Sequence, residues 1–506
     1  MTNCARRDPA LPLWRPLLSK LLCGVAIMTL NGAEAAPLRP DSLPAVLGSG
    51  AQPASVMAAL RHAGLPPSSL GFYARPVDSV LPLTALNEEL PFVLASTTKV
   101  VTSLAALDLL GQNFRWRTYA YAKGEVVGGR LIGDLLIVGG GDARLSTDDL
   151  RQWFAEIRAR GLREISGNIV LDRFAFQLSD GDHANTPVPG QDRPHHSWPD
   201  ALPLDEGVLR IDVTPTRTAR AALSVTPPLQ GVAVINAVRM GSGCAAHASL
   251  SQADGQMRLL VSGSWSQACG ERRIQFVPLS HAEFSTRALA GLWLEAGGTL
   301  GGTVIDRASA SGSGTLQRDA QGDLVQPWST HRSDMLAQVV HDINKTSNNL
   351  GARNLLLSLS QGFPVKAATL AGAQLRVHLW LRAQGLALGD IEIDNGAGLS
   401  RTERGKPRAM VQLLCNAWGG RNAQSFVDSL PIAGVDGTLA HRMRRGQATG
   451  HAFLKTGSLL DTRALAGYVR ARSGKVYAVA AMVNHPDAAR ATPALDALIE
   501  WLARHG

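Results

Sequence analysis

The stretch LASTTKVVT at residues 94–102 places a serine, Ser96, three positions before a lysine, Lys99. Val100 and Leu104 follow at helical spacing, so the pair lies at the start of a predicted helix. Residues three apart share a helix face, which lets the Lys99 amine reach the Ser96 hydroxyl. A lysine can take the proton of a serine when burial and a second cation lower its pKa. The stretch therefore predicts a nucleophile, Ser96, with Lys99 as its base.

A second short pattern, Ser347-Asn348-Asn349, lies between two predicted helices. Ser347 can relay a proton to a leaving amine, and the Asn349 amide can both donate to and accept from a substrate peptide bond. The S-x-N pattern is weak by itself, because Ser166-Gly167-Asn168 also matches it. We interpret that second match as a turn before a strand.

The third pattern, Lys455-Thr456-Gly457 followed by Ser458, lies on a predicted strand. Lys455 would supply the second cation near Lys99 and attract an anionic substrate end. Gly457 lets a substrate backbone lie against the strand. The N–H groups of Ser96 and Ser458 are expected to form an oxyanion hole.

The rarity of lysine gives these patterns weight. Only eight of the 50 basic residues are lysines, yet two of them lie in S-x-x-K and K-T-G patterns that each occur once. A lone S-x-x-K is commonly an ordinary exposed helix pair. Three patterns in this order are a strong indication of a shared catalytic site.

With these motifs the chain resembles the active-site serine penicillin-recognising enzymes. Ser96 and Ser347 are 251 residues apart, far more than in a class A β-lactamase. A gap of this size is similar to that of the D-Ala-D-Ala carboxypeptidases/endopeptidases of peptidase family S13, the penicillin-binding protein 4 type. The stretches GGGDARLS (139–146), GNIVLD (167–172), NKTSNNL (344–350) and DNGAGLSR (394–401) agree with that family.

The resemblance implies an α/β/α transpeptidase (serine β-lactamase-like) domain interrupted by a β-rich insertion of two smaller domains. It implies cleavage of the terminal D-Ala from cell-wall pentapeptides and of cross-linked muropeptides, with β-lactams as inhibitors and no cofactor or metal. The implied catalytic residues are Ser96, Lys99, Ser347, Asn349 and Lys455. The implied substrate-binding residues are Thr456, Gly457 and Ser458, with Asp142 and Arg401 as weaker candidates for the pocket that holds a diamino-acid side chain.

The chain departs from the family pattern at three places. Asn348 stands where Asp is usual, Gly351-Ala352-Arg353 replaces a stretch that typically carries Glu, and Met335 stands where Pro is frequent. None of them changes a carried-over catalytic atom. They leave the activity level and the substrate preference open.

The domain organisation follows from a change of periodicity along the chain. Helical and strand patterns surround short glycine-punctuated strands, with one clear helix at 147–160. We predict a signal peptide at 1–35 and a catalytic domain built from 36–118 and 326–506. An α/β insertion domain at 119–228 and a second, β-rich one at 229–325 would lie between these two parts.

The N-terminus predicts export to the periplasm. Basic residues precede a ten-residue apolar run at 21–30, and the small-residue site Ala33-Glu34-Ala35 follows, which is the layout of a secretory signal. A run of this length is too short to span a bilayer. The mature chain is expected to begin near Ala36.

The net charge of +9 indicates a mild preference for anionic surroundings. The basic residues are dispersed arginines without an aromatic stripe, so we predict no nucleic-acid partner and at most peripheral membrane association. With Cys4 and Cys23 removed by processing, Cys244 and Cys269 are a candidate disulfide, and Cys415 lies on a predicted buried helix face.

Other chemistries are disfavoured. No G-x-S-x-G elbow occurs, His195-His196 has no further metal ligands nearby, and the glycines at 139–141 are not followed by the Lys of a P-loop. Two alternatives remain open: a β-lactamase, and a catalytically silent cell-wall binding protein.

Overall fold

The computed structural model describes residues 52–179, 182, 198–307 and 325–506. The predicted signal peptide, with Cys4 and Cys23, and the His195-His196 pair lie outside the described residues. Within these ranges no helix has both the length and the apolar character that crossing a membrane requires.

Helices occur along the whole described chain, and two of them, α3 and α4 below, lie between residues 117 and 332. They are Ala54–His62 (α1), Thr98–Leu110 (α2), Thr147–Ala159 (α3), His281–Glu295 (α4), Leu336–Thr346 (α5), Asn349–Leu357 (α6), Leu370–Ala383 (α7), Pro407–Trp418 (α8), Ala423–Ser429 (α9) and Thr492–His505 (α10).

The strands of the described residues form several sheets. Those before residue 230 are Leu70–Pro76 (β1), Thr84–Leu86 (β2), Phe92–Val93 (β3), Arg117–Val127 (β4), Arg130–Val138 (β5), Glu164–Ile165 (β6), Ile169–Asp172 (β7), Leu209–Thr214 (β8) and Ala222–Thr226 (β9). The later ones are Val232–Met240 (β10), Cys244–Ala253 (β11), Gln256–Trp265 (β12), Arg272–Phe276 (β13), Thr299–Leu300 (β14), Val304–Arg307 (β15), Ser329–Arg332 (β16), Arg404–Gly405 (β17), Ala452–Leu459 (β18), Thr462–Arg470 (β19) and Val476–Asn484 (β20).

The central sheet has the strand order β18-β19-β20-β1-β2, and every neighbouring pair is antiparallel. Side chains of a strand alternate between the two faces of a sheet. Along β20, Ala480 and Met482 join a hydrophobic cluster with α2, α5, α6 and α8, whereas Val479 and Ala481 join one with α1 and α10. Helices therefore cover both faces, and the predicted α/β/α fold is confirmed.

The inserted segment, residues 117–332, leaves and re-enters this fold on neighbouring strands. β4 pairs antiparallel with β16, with Ala120 opposite Ser329. Just outside the pair, the Ser333 N–H donates to the Trp116 carbonyl (3.1 Å), and the Trp116 N–H donates to the Ser333 hydroxyl oxygen (2.9 Å). The two ends of the segment therefore lie side by side.

The inserted segment contains a mixed sheet around β4 to β7 and two three-stranded sheets, β13-β8-β9 and β10-β12-β11. One hydrophobic cluster includes Leu135 of the mixed sheet, Trp153 of α3, Leu259 of β12 and Trp293 of α4. The cluster joins residues from both predicted insertion domains. The division at 228 and 229 stays a prediction.

The structure pairs Cys244 and Cys269 in a disulfide, which links the first residue of β11 to a turn just beyond β12. Cys415 lies half-buried on α8 with a free thiol, and burial raises its pKa. A raised pKa disfavours the reactive thiolate, so this residue is a poor nucleophile.

Candidate active site

Ser96 lies in a tight 3-10 turn, Ala95–Thr97, that leads directly into α2. Ala95 is fully buried and has a left-handed backbone with φ of 47°, a conformation that costs energy for a residue with a side chain. Gly398 packs against this turn so closely that a Cβ there would lie 1.9 Å from the Ala95 carbonyl oxygen. Close backbone packing therefore holds the strained turn that carries the serine.

The Lys99 amine lies in contact with three oxygen atoms. Its Nζ is 3.1 Å from Ser96 Oγ, 2.7 Å from Asn349 Oδ1 and 2.5 Å from the Ala397 carbonyl oxygen. A neutral amine has two hydrogens and one electron pair. The amide and carbonyl oxygens can only accept, so they take the two hydrogens, and the electron pair is left for the Ser96 hydroxyl proton.

The surroundings of Lys99 favour the neutral amine. The side chain is fully buried, and burial lowers its pKa well below the usual lysine value. The charge of Lys455 lowers the pKa further, whereas Glu403 opposes the shift. Lys99 can therefore act as a base at a pH where an exposed lysine would be protonated.

Ser347 and Asn349 reach the cleft because the chain turns sharply between α5 and α6. Ser347 ends α5 in a left-handed conformation with φ of 59° and ψ of 38°. Asn348 then caps α6 by accepting the Gly351 N–H at 2.7 Å. A capping side chain fixes where a helix begins, and Asn349 is the first residue of α6.

Lys455 on β18 points its amine at the second motif. Its Nζ donates to Ser347 Oγ at 2.9 Å and to the Thr456 carbonyl at 2.8 Å. The side chain is fully buried, and burial lowers its pKa to about 7. Lys455 and Ser347 therefore join the third motif to the second through a hydrogen bond.

The rest of the third motif borders the serine. A Cβ at Gly457 would lie 3.1 Å from the Ser96 backbone nitrogen, so β18 passes directly beside that N–H group. The Thr456 hydroxyl lies 2.7 Å from that of Thr438, and Ser458 is exposed. The five predicted catalytic residues and this strand thus meet in one cleft.

Asp142 and Arg401 have contacts of their own outside the three motifs. Asp142 is 3% exposed, and its carboxylate accepts the Arg144 N–H at 2.9 Å. Burial raises its pKa to about 7. Arg401 is half-exposed and pairs with Asp461 at 2.7 Å, in the turn between β18 and β19. Their predicted role in substrate binding stays a prediction.

Sequence reasoning missed a cavity of about 740 Å³ that opens beside Ser347 and Asn349. Its wall carries charges of both signs from the inserted segment and from α5, namely Arg144, Asp205, Glu206, Arg210 and Asp342. Arg144 pairs with Asp342, and Arg210 pairs with Asp205 at 2.8 Å. The wall of this cavity is therefore polar, and four of its charged side chains are paired with one another.

Sequence reasoning also missed Glu206, which contacts the second motif. Asn348 Nδ2 donates to Glu206 Oε1 at 2.6 Å. Burial raises the pKa of Glu206, and the hydrogen bond from Asn348 opposes that rise. An Asp at position 348, as is usual in the family, would place a second carboxylate next to that of Glu206, and the two would repel each other. This repulsion is a physical reason for Asn at position 348.

Within the described residues, no group of three or more His, Cys, Asp or Glu side chains is arranged to hold a metal ion. The side chains that meet in the cleft are a serine, two buried lysines, a second serine and an asparagine amide.

The chain is similar in sequence and in fold to known proteins. The D-alanyl-D-alanine carboxypeptidase of Actinomadura sp. (strain R39) is 29% identical over 399 residues, which is 76% of this chain and 71% of that protein. The crystal structure of penicillin-binding protein 4 (dacB) from Haemophilus influenzae has a TM-score of 0.66 at 22% identity and covers 88% of this chain and 99% of its own. A second structure of that protein, complexed with a β-lactam, has a TM-score of 0.60 at 22% identity and covers 82% and 90%.

The family profile described as D-Ala-D-Ala carboxypeptidase 3 (S13) matches residues 52–505. The match includes both ends of the described chain and all three motifs of the cleft. The protein therefore belongs to the D-Ala-D-Ala carboxypeptidase family S13 and is a serine hydrolase.

Proposed function

We propose that the protein removes the terminal D-Ala from peptidoglycan peptides that end in D-Ala-D-Ala, and that it cleaves D-Ala cross-links between such peptides. The reaction proceeds through an acyl-enzyme on Ser96. The observation that carries the proposal is the Lys99 amine, which lies between Ser96 Oγ, Asn349 Oδ1 and the Ala397 carbonyl. Family membership supports the substrate class.

In the acylation step, Ser96 Oγ attacks the carbonyl carbon of the penultimate D-Ala while Lys99 Nζ takes its proton. The Ser96 N–H beside Gly457, together with that of Ser458, stabilises the oxyanion. The carbon–nitrogen bond then breaks, and the leaving D-Ala amine receives a proton through Ser347, which Lys455 contacts at 2.9 Å. That proton is the one that Lys99 took from Ser96, passed on by way of the Ser347 hydroxyl, so Lys99 is neutral again before the second step.

In the second step, a water molecule attacks the acyl-enzyme. Lys99 takes a proton from the water, and the ester bond to Ser96 breaks as Lys99 returns that proton to Oγ. The products are the shortened peptide and the free serine. This chemistry requires no cofactor.

The substrate ends are held by groups around the cleft. Thr456 and Ser458 offer hydroxyls for the terminal carboxylate, and the nearby Lys455 charge favours an anion there. For the diamino-acid side chain, Arg401 and Asp142 remain candidates. An Arg401→Ala variant should then raise KM for a diamino-acid-containing peptide more than KM for one that lacks it.

The test is incubation of the full chain with a D-Ala-D-Ala pentapeptide and assay of released D-Ala. We expect release by the wild type and by Ser473→Ala, a surface control, and none by Ser96→Ala. Equal turnover by Ser96→Ala would contradict the proposal and indicate a catalytically silent binding protein.

A fluorescent penicillin separates the proposal from a β-lactamase, because a β-lactamase deacylates quickly. We expect a label on Ser96 that persists for many minutes. A structure of the Haemophilus influenzae relative contains a β-lactam, which supports binding of this class of compound. Rapid loss of the label, with turnover of the penicillin, would contradict it.

We further propose that the protein acts in the periplasm. The predicted signal sequence supports export, and the Cys244–Cys269 disulfide supports an oxidising compartment. Expression of the full chain should give an N-terminus near Ala36 in the periplasmic fraction. A full-length chain confined to the cytoplasm would contradict this.

A further inference from the structure

The loop at residues 394–398 touches both the nucleophile and its base, although none of its residues belongs to the three motifs. The Ala397 carbonyl accepts from Lys99 at 2.5 Å, and the Gly396 carbonyl accepts from the Thr102 hydroxyl at 2.8 Å. Gly398 packs on the Ala95 backbone. A displacement of this loop would therefore move one of the two acceptors that orient the amine.

One buried carboxylate, that of Glu403, holds the loop. Its Oε1 accepts the N–H groups of Asp394 (3.2 Å) and Gly396 (2.6 Å), and its Oε2 accepts that of Gly398 (2.7 Å). The side chain is fully buried. The backbone carbonyl of Glu403 accepts the N–H of Leu94, two residues before Ser96, at 3.0 Å. Glu403 thus ties the loop to the segment that carries the nucleophile.

We propose that Glu403 is a positioning residue for acylation: by folding residues 394–398 around its carboxylate, it aims the Ala397 carbonyl at Lys99, so that the electron pair of the amine faces Ser96. The proposal rests on the proposed function of the cleft. A side chain with fewer acceptors would leave at least one buried N–H of the loop without its partner, which is costly. The loop would then move and the amine would turn.

The carboxylate also acts on the charge of the base. Lys99 is faced by Lys455 of β18, which lowers its pKa, and by Glu403, which raises it. Glu403 is faced by Asp394 of the loop at 394–398 and by Arg353 of α6, and burial raises its pKa to about 7, so its charge is present above that pH. Removal of the Glu403 charge therefore lowers the pKa of Lys99, and the acid limb of acylation moves to lower pH.

The central variant is Glu403→Gln, which keeps the size of the side chain but loses its charge and places an NH₂ group against one of the loop N–H groups. We expect acylation of Ser96 by penicillin to slow about tenfold to a hundredfold at its pH plateau, with the acid limb shifted to lower pH. Glu403→Asp keeps the charge but withdraws the oxygens, so its plateau falls while its acid limb stays near that of the wild type.

The matched control is Asp172→Asn. Asp172 is also a buried carboxylate that accepts a backbone N–H, that of Phe174 at 2.8 Å, but it lies at the end of β7 in the inserted segment. This variant should keep the wild-type plateau and acid limb. If Glu403→Gln behaved like Asp172→Asn, or lost only thermal stability while the folded fraction kept the wild-type rate and acid limb, the proposal would be overturned.

A readout without turnover separates this proposal from that of the enzyme activity. The chain has eight lysines, so a titration of ¹⁵N-labelled lysine side chains can follow Lys99, assigned by its absence in Lys99→Met. We expect the Lys99 amine to titrate at lower pH in Glu403→Gln than in wild type. An unchanged Lys99 titration would refute the role of Glu403, whereas a wild type that penicillin fails to acylate would refute the proposed function alone.

Discussion

Lys99 and Lys455 are fully buried in the cleft, whereas no residue of β11, in the sheet β10-β12-β11, is buried. Each region therefore meets a different physical problem. In the cleft, buried amines reduce stability and gain reactivity, because burial disfavours their charged forms. Along β11, little apolar surface is removed from water, and the Cys244–Cys269 disulfide restrains the strand instead. Activity and stability should thus respond to substitutions in different places.

The largest effect is expected from Lys99→Met, which removes the base. Acylation by penicillin should fall about a thousandfold, a typical loss for a general base. The melting temperature should stay unchanged or rise, because an apolar chain replaces a buried amine. Stopped-flow acylation and thermal unfolding measure the two quantities. Lys123→Met, at an exposed site on β4, is the control. A large fall in the melting temperature of Lys99→Met would contradict the contrast between the cleft and β11.

The opposite result is expected when Cys244 and Cys269 are both replaced by serine. The disulfide closes a loop with a sequence separation of 25, so its loss should lower the free energy of unfolding by about 3 kcal/mol. Urea unfolding measures this change. The acylation rate should stay the same, and a rate loss comparable to that of Lys99→Met would contradict the separation.

Asn348→Asp tests the contact between the turn that follows α5 and Glu206 of the inserted segment. It sets a carboxylate against Glu206 Oε1, which Asn348 Nδ2 now contacts at 2.6 Å. We expect acylation near neutral pH to fall about tenfold, with recovery when Glu206→Gln is added, as in a double-mutant cycle. If the double variant were as slow as Asn348→Asp alone, Glu206 would not be the cause.

The smallest effect is the pH dependence of stability. Lys455 has a pKa of about 7 in the folded chain, below the 10.5 of an unperturbed lysine, so between these values the unfolded chain binds more protons. The free energy of unfolding should therefore rise with pH in this window, by at most about 1.4 kcal/mol per pH unit for this group. Lys455→Met should have a smaller slope in urea unfolding from pH 7 to 9, and an equal slope would speak against the lowered pKa.

The sequence predicted the parts of the site whose rules are local. Ser96 and Lys99 are three residues apart at the start of a helix, and the three motifs together carry the family resemblance through which the α/β/α fold was predicted correctly. Helix α4 was not predicted within the β-rich segment. Its buried residues, Phe284, Leu289 and Trp293 among them, are spread around much of the helix, which weakens the amphipathic period on which such predictions depend.

Glu403 and Glu206 could not have been found in the same way. Glu403 lies in the stretch Arg-Thr-Glu-Arg at 401–404, where charged residues resemble a solvated surface. Its burial depends on the loop at 394–398 and on Leu94, about 300 residues earlier in the chain. Contacts of this kind arise from the assembled fold, and a single sequence carries no signal for them.

The pairing of β4 with β16, at the two ends of the inserted segment, has a consequence for engineering of this chain. Trp116 and Ser333 are hydrogen-bonded to each other, so a short linker between them would replace the inserted segment without a change in the strand order of the central sheet. The inserted segment nevertheless also contacts the cleft. Its Glu206 accepts a hydrogen bond from Asn348 in the turn between α5 and α6. A chain without the inserted segment would therefore keep Ser96 but lose a contact that holds the turn with Ser347.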